Sequence, residues 1–187
     1  MSEALRQARL EDRGTRSKPK EAAEVARWFA IQIRYRFEKK VVEQLGKKGV
    51  EAFLPLREET HRWSDRQQAV RIPLFPGYAF VRVDGLAESR RRVLQTLGLM
   101  GFVNIQGEAV PIPAKQIEDL QLLLKEKVPC SLYPFLRAGQ RVRVRGGCLE
   151  GLEGVLAQHD KGKLVISIAS IQRSLAIEID GYELEMI

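Results

Sequence analysis

Apolar and polar positions alternate along the run that starts at Tyr78, directly after the dipeptide Pro76-Gly77. Proline fixes φ and glycine accepts positive φ, so this dipeptide predicts a tight corner leading into a strand. Successive strand side chains point to opposite faces. One face is small and apolar, and it is formed by Ala79, Val81 and Val83. The other is aromatic with a cation at its end, and it is formed by Tyr78, Phe80 and Arg82, with Phe75 at the corner. Aromatic strand residues are more often core than contact, so the pattern alone favours a second core layer over a binding surface.

Periodicity predicts seven elements between residues 28 and 124, in the order β-α-β-β-α-β-α. The strands fall at residues 28–33, 50–56, 78–83 and 100–105, and a charged hairpin arm occupies residues 57–70. The buried stripes of the three helices are Phe37, Val41, Val42 and Leu45, then Leu86, Val93, Leu94 and Leu97, then Ile117, Leu120, Leu123 and Leu124. This order predicts an α+β domain, an antiparallel sheet with helices packed on it.

The C-terminal part of the chain has the pattern of short strands only. Five segments rich in β-branched residues lie between residues 141 and 186, and about fifty residues in short strands bury enough surface only by closing into a barrel. We therefore expect a frayed basic tail at 1–27, an α+β domain at 28–124, a flexible linker at 125–136 and a small SH3-like all-β barrel at 137–187. With such a linker, Phe75 and Tyr78 are expected to be accessible.

The charge of the chain indicates which class of partner it binds. The 187 residues carry a formal net charge of +7, which favours a polyanion. Arg34, Arg36 and Lys40 cluster where the first strand passes into the first helix, an arrangement that is usually a solvated face. Trp63, among cations in the hairpin arm, could stack on a base or pack beneath its own hairpin.

Candidate catalytic chemistry is scarce. Cys130 and Cys148 are too far apart for a metal knuckle, and the sequence offers no ligand set, phosphate-binding loop or catalytic triad, so we predict neither an enzyme nor a metal or cofactor site. No apolar run approaches the length that crosses a bilayer, and nothing resembles a secretory signal. We expect a soluble, cytoplasmic monomer with reduced thiols.

Several segments taken together resemble the NusG family of transcription elongation factors. They are the segment at 28–31, the Pro-Leu-Phe-Pro-Gly-Tyr-Ala-Phe-Val corner at 73–81, Gly-Phe-Val at 101–103, and the barrel segments at 139–144 and 151–155. The resemblance joins the family's N-terminal domain to a KOW barrel. The arginine-rich tail and the loop at 171–174 are similar to those of specialised paralogues of the RfaH or polysaccharide-operon antiterminator kind.

The resemblance implies a non-enzymatic factor that binds RNA polymerase and suppresses pausing or termination on a subset of operons. It implies that the clamp helices of the largest subunit bind Phe75, Tyr78 and Phe80. It implies contacts of the opposite polymerase jaw with Ser89, Arg90 and Arg91. It places the non-template DNA strand on Arg34, Arg36 and Lys40, and base stacking would fall to Trp63.

The barrel loop departs from the family pattern. Housekeeping members of the family present a Phe-Gly pair there to a ribosomal protein or to Rho, whereas this chain has Ile171, Gln172 and Arg173, so coupling to either partner stays open. The rival interpretation is a KOW-type RNA-binding or ribosome-associated module that holds RNA through the basic barrel residues Arg141, Arg143, Arg145 and Lys163.

Overall fold

A computed structural model of the protein describes residues 25–62, 67–85, 87–136, 139–157 and 162–187. Nearly all of the predicted tail at 1–27 lies outside these residues, as do Trp63 and Leu86. Within the described part of the chain, no helix is long and apolar enough to cross a membrane.

The N-terminal domain contains nine strands and three helices among the described residues. Its strands are β1 (Arg27–Ile33), β2 (Glu51–Phe53), β3 (Leu56–Arg62), β4 (Gln67–Pro73), β5 (Tyr78–Val83), β6 (Leu99–Phe102), β7 (Asn104–Ile105), β8 (Glu108–Ala109) and β9 (Pro111–Ile112). Its helices are α1 (Glu38–Lys47), α2 (Ala87–Leu94) and α3 (Ala114–Lys125). The predicted α+β class is confirmed.

The main sheet has the order β2-β5-β1-β6, with β9 also paired to β1, and every pair is antiparallel. The arm predicted at 57–70 is present as the separate β3-β4 hairpin. On one face of the sheet, the small apolar side chains of β5 pack with Phe29 and Ile31 of β1 and with Val41 and Leu45 of α1. The prediction for this face is correct, because strand alternation alone decides which side chains share it.

Helix α2 is shorter than its apolar spacing predicted. Val93 is buried, but Leu94 and Leu97 are 52% and 76% exposed, so the predicted stripe is wrong at both positions. The helix ends before Leu97, and a cation from another element lies at its end. The ammonium of Lys48, just after α1, donates to the backbone oxygens of Arg92 and Gln95, and this satisfies carbonyls at the C-terminal end of α2. Leu97 then falls in the turn beyond the helix.

The barrel is all-β, as predicted, and its strands form one antiparallel sheet in the order β10-β14-β13-β12-β11-β15. The strands are β10 (Cys130–Tyr133), β11 (Arg141–Arg145), β12 (Glu153–Leu156), β13 (Lys163–Ile168), β14 (Arg173–Glu178) and β15 (Glu183–Met186). The sheet's core includes Val142, Val144, Leu164 and Ile177, and Leu123 of α3 packs into it.

Strand β10 was not expected. It lies inside the segment predicted to be a flexible linker, and four of its residues pair with β14 from Cys130↔Ile177 to Tyr133↔Ser174. Edge pairing of this kind depends on an open neighbouring strand elsewhere in the chain, which local composition does not reveal. Residues 130–133 of the segment between the domains are therefore part of the barrel sheet.

Candidate functional site

The Pro76-Gly77 corner is a tight turn held from two sides. The backbone amide of Tyr78 donates to the carbonyl of Phe75 at 3.1 Å, and Gly77 has φ +80°, a conformation that favours glycine. The buried carboxylate of Glu38, at the start of α1, accepts the Gly77 amide at 2.9 Å. The predicted corner is confirmed, and α1 fixes its position on the sheet.

The aromatic residues beside this corner form a packed cluster. The ring centroids of Phe75 and Phe80 are 6.3 Å apart and nearly perpendicular, and those of Phe53 and Phe80 are 6.1 Å apart and stacked. Phe75 and Phe80 are 1% and 0% exposed, while Tyr78 is half-buried. We call these four residues the aromatic cluster.

The barrel covers the aromatic cluster. Ile168, Ile171 and Leu175 of the barrel lie in the same buried core as Phe75 and Phe80, together with Ile117 and Leu120 of α3. The expectation of an accessible surface at Phe75 and Tyr78 is therefore wrong for this arrangement of the domains. Alternation showed that these aromatic residues share a face, but the element covering that face comes from about ninety residues further along the chain. The polymerase-binding assignment itself stays a prediction.

The barrel loop predicted to bind a partner has one buried residue and two exposed residues. Ile171 is 5% exposed and belongs to the core shared by the two domains, whereas Gln172 and Arg173 are exposed. Gln172 has φ +50°, the left-handed conformation at the end of a short 3₁₀ turn at Ala169–Ile171. The loop thus presents its polar residues to solvent and its apolar residue to the N-terminal domain.

The predicted cationic cluster of Arg34, Arg36 and Lys40 is exposed at the junction of β1 and α1. Among the described residues, no carboxylate lies within ion-pair distance of any of the three. Within the part of the chain that the structure describes, no acid neutralises this surface, which is the character that binding to phosphates requires.

Tyr35 is a candidate contact residue that the sequence analysis missed. Its side chain is 68% exposed, and the Arg36 guanidinium lies 5.5 Å from its ring centroid. The Arg34 amide donates to the carbonyl of Gly98 at 2.9 Å, which brings exposed Leu97 close to this junction. The sequence contained a signal for this contact residue, since Tyr35 is an aromatic residue between two arginines.

The predicted jaw-contact residues lie on α2, in two environments. Arg91 is exposed, and Ser89 and Arg90 are half-buried. The Arg90 guanidinium lies 5.4 Å from the centroid of the Phe29 ring, a cation–π contact. Arg90 is therefore partly engaged by its own domain, and Arg91 presents the more available charge.

The barrel arginines differ from the cationic cluster because they are paired with acids across the strands. Arg143 contacts Glu153 at 2.7 Å, Arg145 contacts Glu185 at 2.6 Å, and Arg141 lies 3.5 Å from Glu153. Arg145 holds the pKa of the Glu185 carboxyl below its ordinary value, chiefly by hydrogen bonding. The basic stripe of β11 is thus largely neutralised by its neighbours.

The two cysteines are both unpaired thiols. Burial raises the pKa of the Cys130 thiol, and nearby Arg57 opposes this shift. Cys148 is exposed, and its Sγ lies 3.3 Å from the Tyr182 hydroxyl. Within the described residues no group of three or more His, Cys, Asp or Glu side chains could hold a metal ion.

Comparison with protein families gives a match to the model described as "Transcription termination factor nusG", over residues 26–121. This match covers the whole main sheet and most of α3. The chain belongs to the NusG family.

Curated NusG proteins extend the match into the barrel. The transcription termination/antitermination protein NusG of Borreliella burgdorferi is 22% identical, over 86% of this chain and 98% of its own length. That of Lactococcus lactis is 26% identical, over 84% of this chain and 91% of its own length. The solved structure "Domain interaction in Thermotoga maritima NusG" is 23% identical with a TM-score of 0.50, covering 87% of this chain and 97% of its own, and it supports the two-part fold. The chain is thus a NusG-type transcription factor.

Proposed function

We propose that this protein is a transcription elongation and antitermination factor that binds the clamp helices of the largest RNA polymerase subunit through the aromatic cluster. Bound there, it suppresses pausing or termination on a subset of operons. One observation carries the proposal: the aromatic face of the main sheet in a NusG-family domain is covered by a separate domain rather than only by its own helices. A separate domain can move off the aromatic face, and a partner protein can then bind there in its place.

The aromatic cluster has the chemistry of an interface anchor. Aromatic side chains at the centre of an interface supply most of its binding free energy once water is excluded. Phe75 and Phe80 also support the domain's core, so Tyr78, which is half-buried, is the side chain whose contacts a partner could take over with the least damage to the fold. Binding in this way requires the barrel to leave, so access to the polymerase is regulated by the barrel.

A second surface would serve the non-template DNA strand. The cationic cluster supplies charge for phosphates, and Tyr35 supplies a ring on which an unpaired base can stack. Arg91, with Ser89 and Arg90, would face the opposite jaw from α2. Such a factor acts as a monomer in the cytoplasm, beside the polymerase.

Two matched variants test the proposal. Tyr78→Ala should weaken binding to purified core polymerase by about tenfold or more, as expected for loss of an interface anchor, and should leave binding to single-stranded DNA intact. Tyr35→Ala should do the reverse, so each variant is the control for the other. Equal polymerase affinity of Tyr78→Ala and the wild type, with both chains folded, would refute the docking assignment.

The rival RNA-binding module is disfavoured by the pairing of the barrel arginines with Glu153 and Glu185. Capture from a lysate separates the two functions. Polymerase that stays bound after nuclease treatment supports the elongation factor, whereas capture of ribosomes or RNA alone would support the module.

A further inference from the structure

Asp119 is a buried acid at the contact between α3 and the barrel. Its side chain is 4% exposed, although it lies one residue from exposed Glu118 on the same helix. Its carboxylate accepts a hydrogen bond from the ammonium of Lys115, one turn earlier on α3. On the barrel side, the backbone amide of Glu153 in β12 favours the charged form of this carboxylate, and both residues line one cleft between the domains.

The barrel side of this contact is held in place by charge. The Glu153 carboxylate is bound by Arg143 at 2.7 Å and approached by Arg141 at 3.5 Å, which fixes β12 against β11. A cleft of about 640 Å³ between α3 and the barrel is lined by Lys115, Asp119, Arg141 and Glu153. The charged groups that face Asp119 are thus Lys115 from its own helix and Glu153, with its arginines, from the barrel.

Closing the barrel over α3 therefore buries a negative charge. Burial raises the pKa of the Asp119 carboxyl; the hydrogen bond and charge of Lys115 and the Glu153 amide oppose this, while the Glu153 charge adds to it. When the barrel leaves, this carboxylate returns to water and its pKa falls toward the ordinary value. The closed state then binds the proton more tightly than the open state, so the closed fraction rises as pH falls through the raised pKa.

We propose that Asp119 is a positioning residue that sets how firmly the barrel closes over the aromatic cluster. Its oxygen atoms face the Glu153 amide when the domains are together, and its buried charge keeps the closed state easy to open. A neutral acceptor at this position would hold the domains together more firmly, and loss of the acceptor would release them. The consequence for polymerase binding rests on the proposed function, but the control of barrel closure by Asp119 is a property of the free chain.

Three variants of the full-length chain separate these effects. Asp119→Asn keeps an oxygen acceptor and removes the charge, Asp119→Ala removes both, and Glu118→Gln removes a charge from the exposed neighbouring position. The readout is the methyl signal of Ile171, which lies in one core with the rings of Phe75 and Phe80 and so carries their ring-current shift only when the domains are closed. The methyl signal of Ile166, inside the barrel core, is the reference for barrel folding. Relaxation dispersion of the same methyl groups measures the open state when it is rare.

We expect Asp119→Asn to raise the ratio of closed to open chains several-fold. We expect Asp119→Ala to lower it about tenfold, because it removes the acceptor that faces the barrel and binds Lys115. In the wild type the ratio should rise as pH falls through the raised pKa of Asp119, and this dependence should be weaker in both Asp119 variants. Glu118→Gln should match the wild type.

Asp119 variants that match Glu118→Gln in both ratio and pH dependence would overturn the proposal. So would an Asp119→Asn chain that opens as far as Asp119→Ala. Neither measurement involves polymerase, so these outcomes stand apart from a failure of the docking assignment, which the Tyr78→Ala variant tests.

Discussion

Replacing Ile171 with alanine should open the contact between the domains without unfolding either one. Ile171 is 5% exposed, and the core it shares with the N-terminal domain includes two other barrel residues, Ile168 and Leu175. The change removes three buried carbons, worth about 2.4 kcal/mol at about 0.8 kcal/mol each. Ile171 packs in a core with Ile168 and Leu175 of its own barrel as well as with the N-terminal domain. We therefore assign about half of the lost free energy, roughly 1.2 kcal/mol, to the contact between the domains, and the rest to the barrel itself. That corresponds to about a sevenfold shift toward the open state, since 1.4 kcal/mol is a factor of ten.

Backbone relaxation of the two domains measures the shift directly. In the closed protein, the amides of α1 and of β13 share one rotational correlation time. In the Ile171→Ala chain, the barrel amides should show a shorter one. Polymerase affinity should rise as the cover is lost. Gln172→Ala is the matched control, because the neighbouring side chain is exposed. Unchanged correlation times in a folded Ile171→Ala chain would refute the argument that this residue holds the barrel closed.

Three further outcomes follow from the structure. A Gln variant of all three residues of the cationic cluster should flatten the salt dependence of single-stranded DNA binding, measured by titration at several salt concentrations, and an unaltered slope would make the cluster ordinary surface. Phe80→Ala should lower the free energy of unfolding by about 3–5 kcal/mol in denaturant titration, because the ring is fully buried, and a loss below about 1 kcal/mol would contradict its place in the core. A thiol reagent at neutral pH should label exposed Cys148 before Cys130, whose pKa is raised by burial, and mass spectrometry of the modified peptides would show the reverse order if that assignment is wrong.

The sequence alone determined the local features. Pro76-Gly77 could only be a corner, and the alternation after it separates Ala79 and Val81 from Tyr78 and Phe80 whatever the rest of the chain does. The β-branched segments after residue 140 likewise predicted strands, and the structure has them. These features depend on backbone sterics and on the two-residue repeat of a strand, and both act between neighbours in the chain.

Tertiary structure decided what covers each surface. Alternation placed the aromatic side chains on one face, but only the folded chain brings Ile171 of the barrel into the same core as Phe80. Likewise, apolar spacing continued past Leu94, but in the folded chain α2 ends there and Lys48 from another element binds the carbonyls at its end. The exposure of Tyr35 and the burial of Asp119 likewise depend on which distant segments pack beside them. A local pattern fixes which residues share a face, whereas the partner of that face depends on the free energy of contacts between segments far apart in the chain.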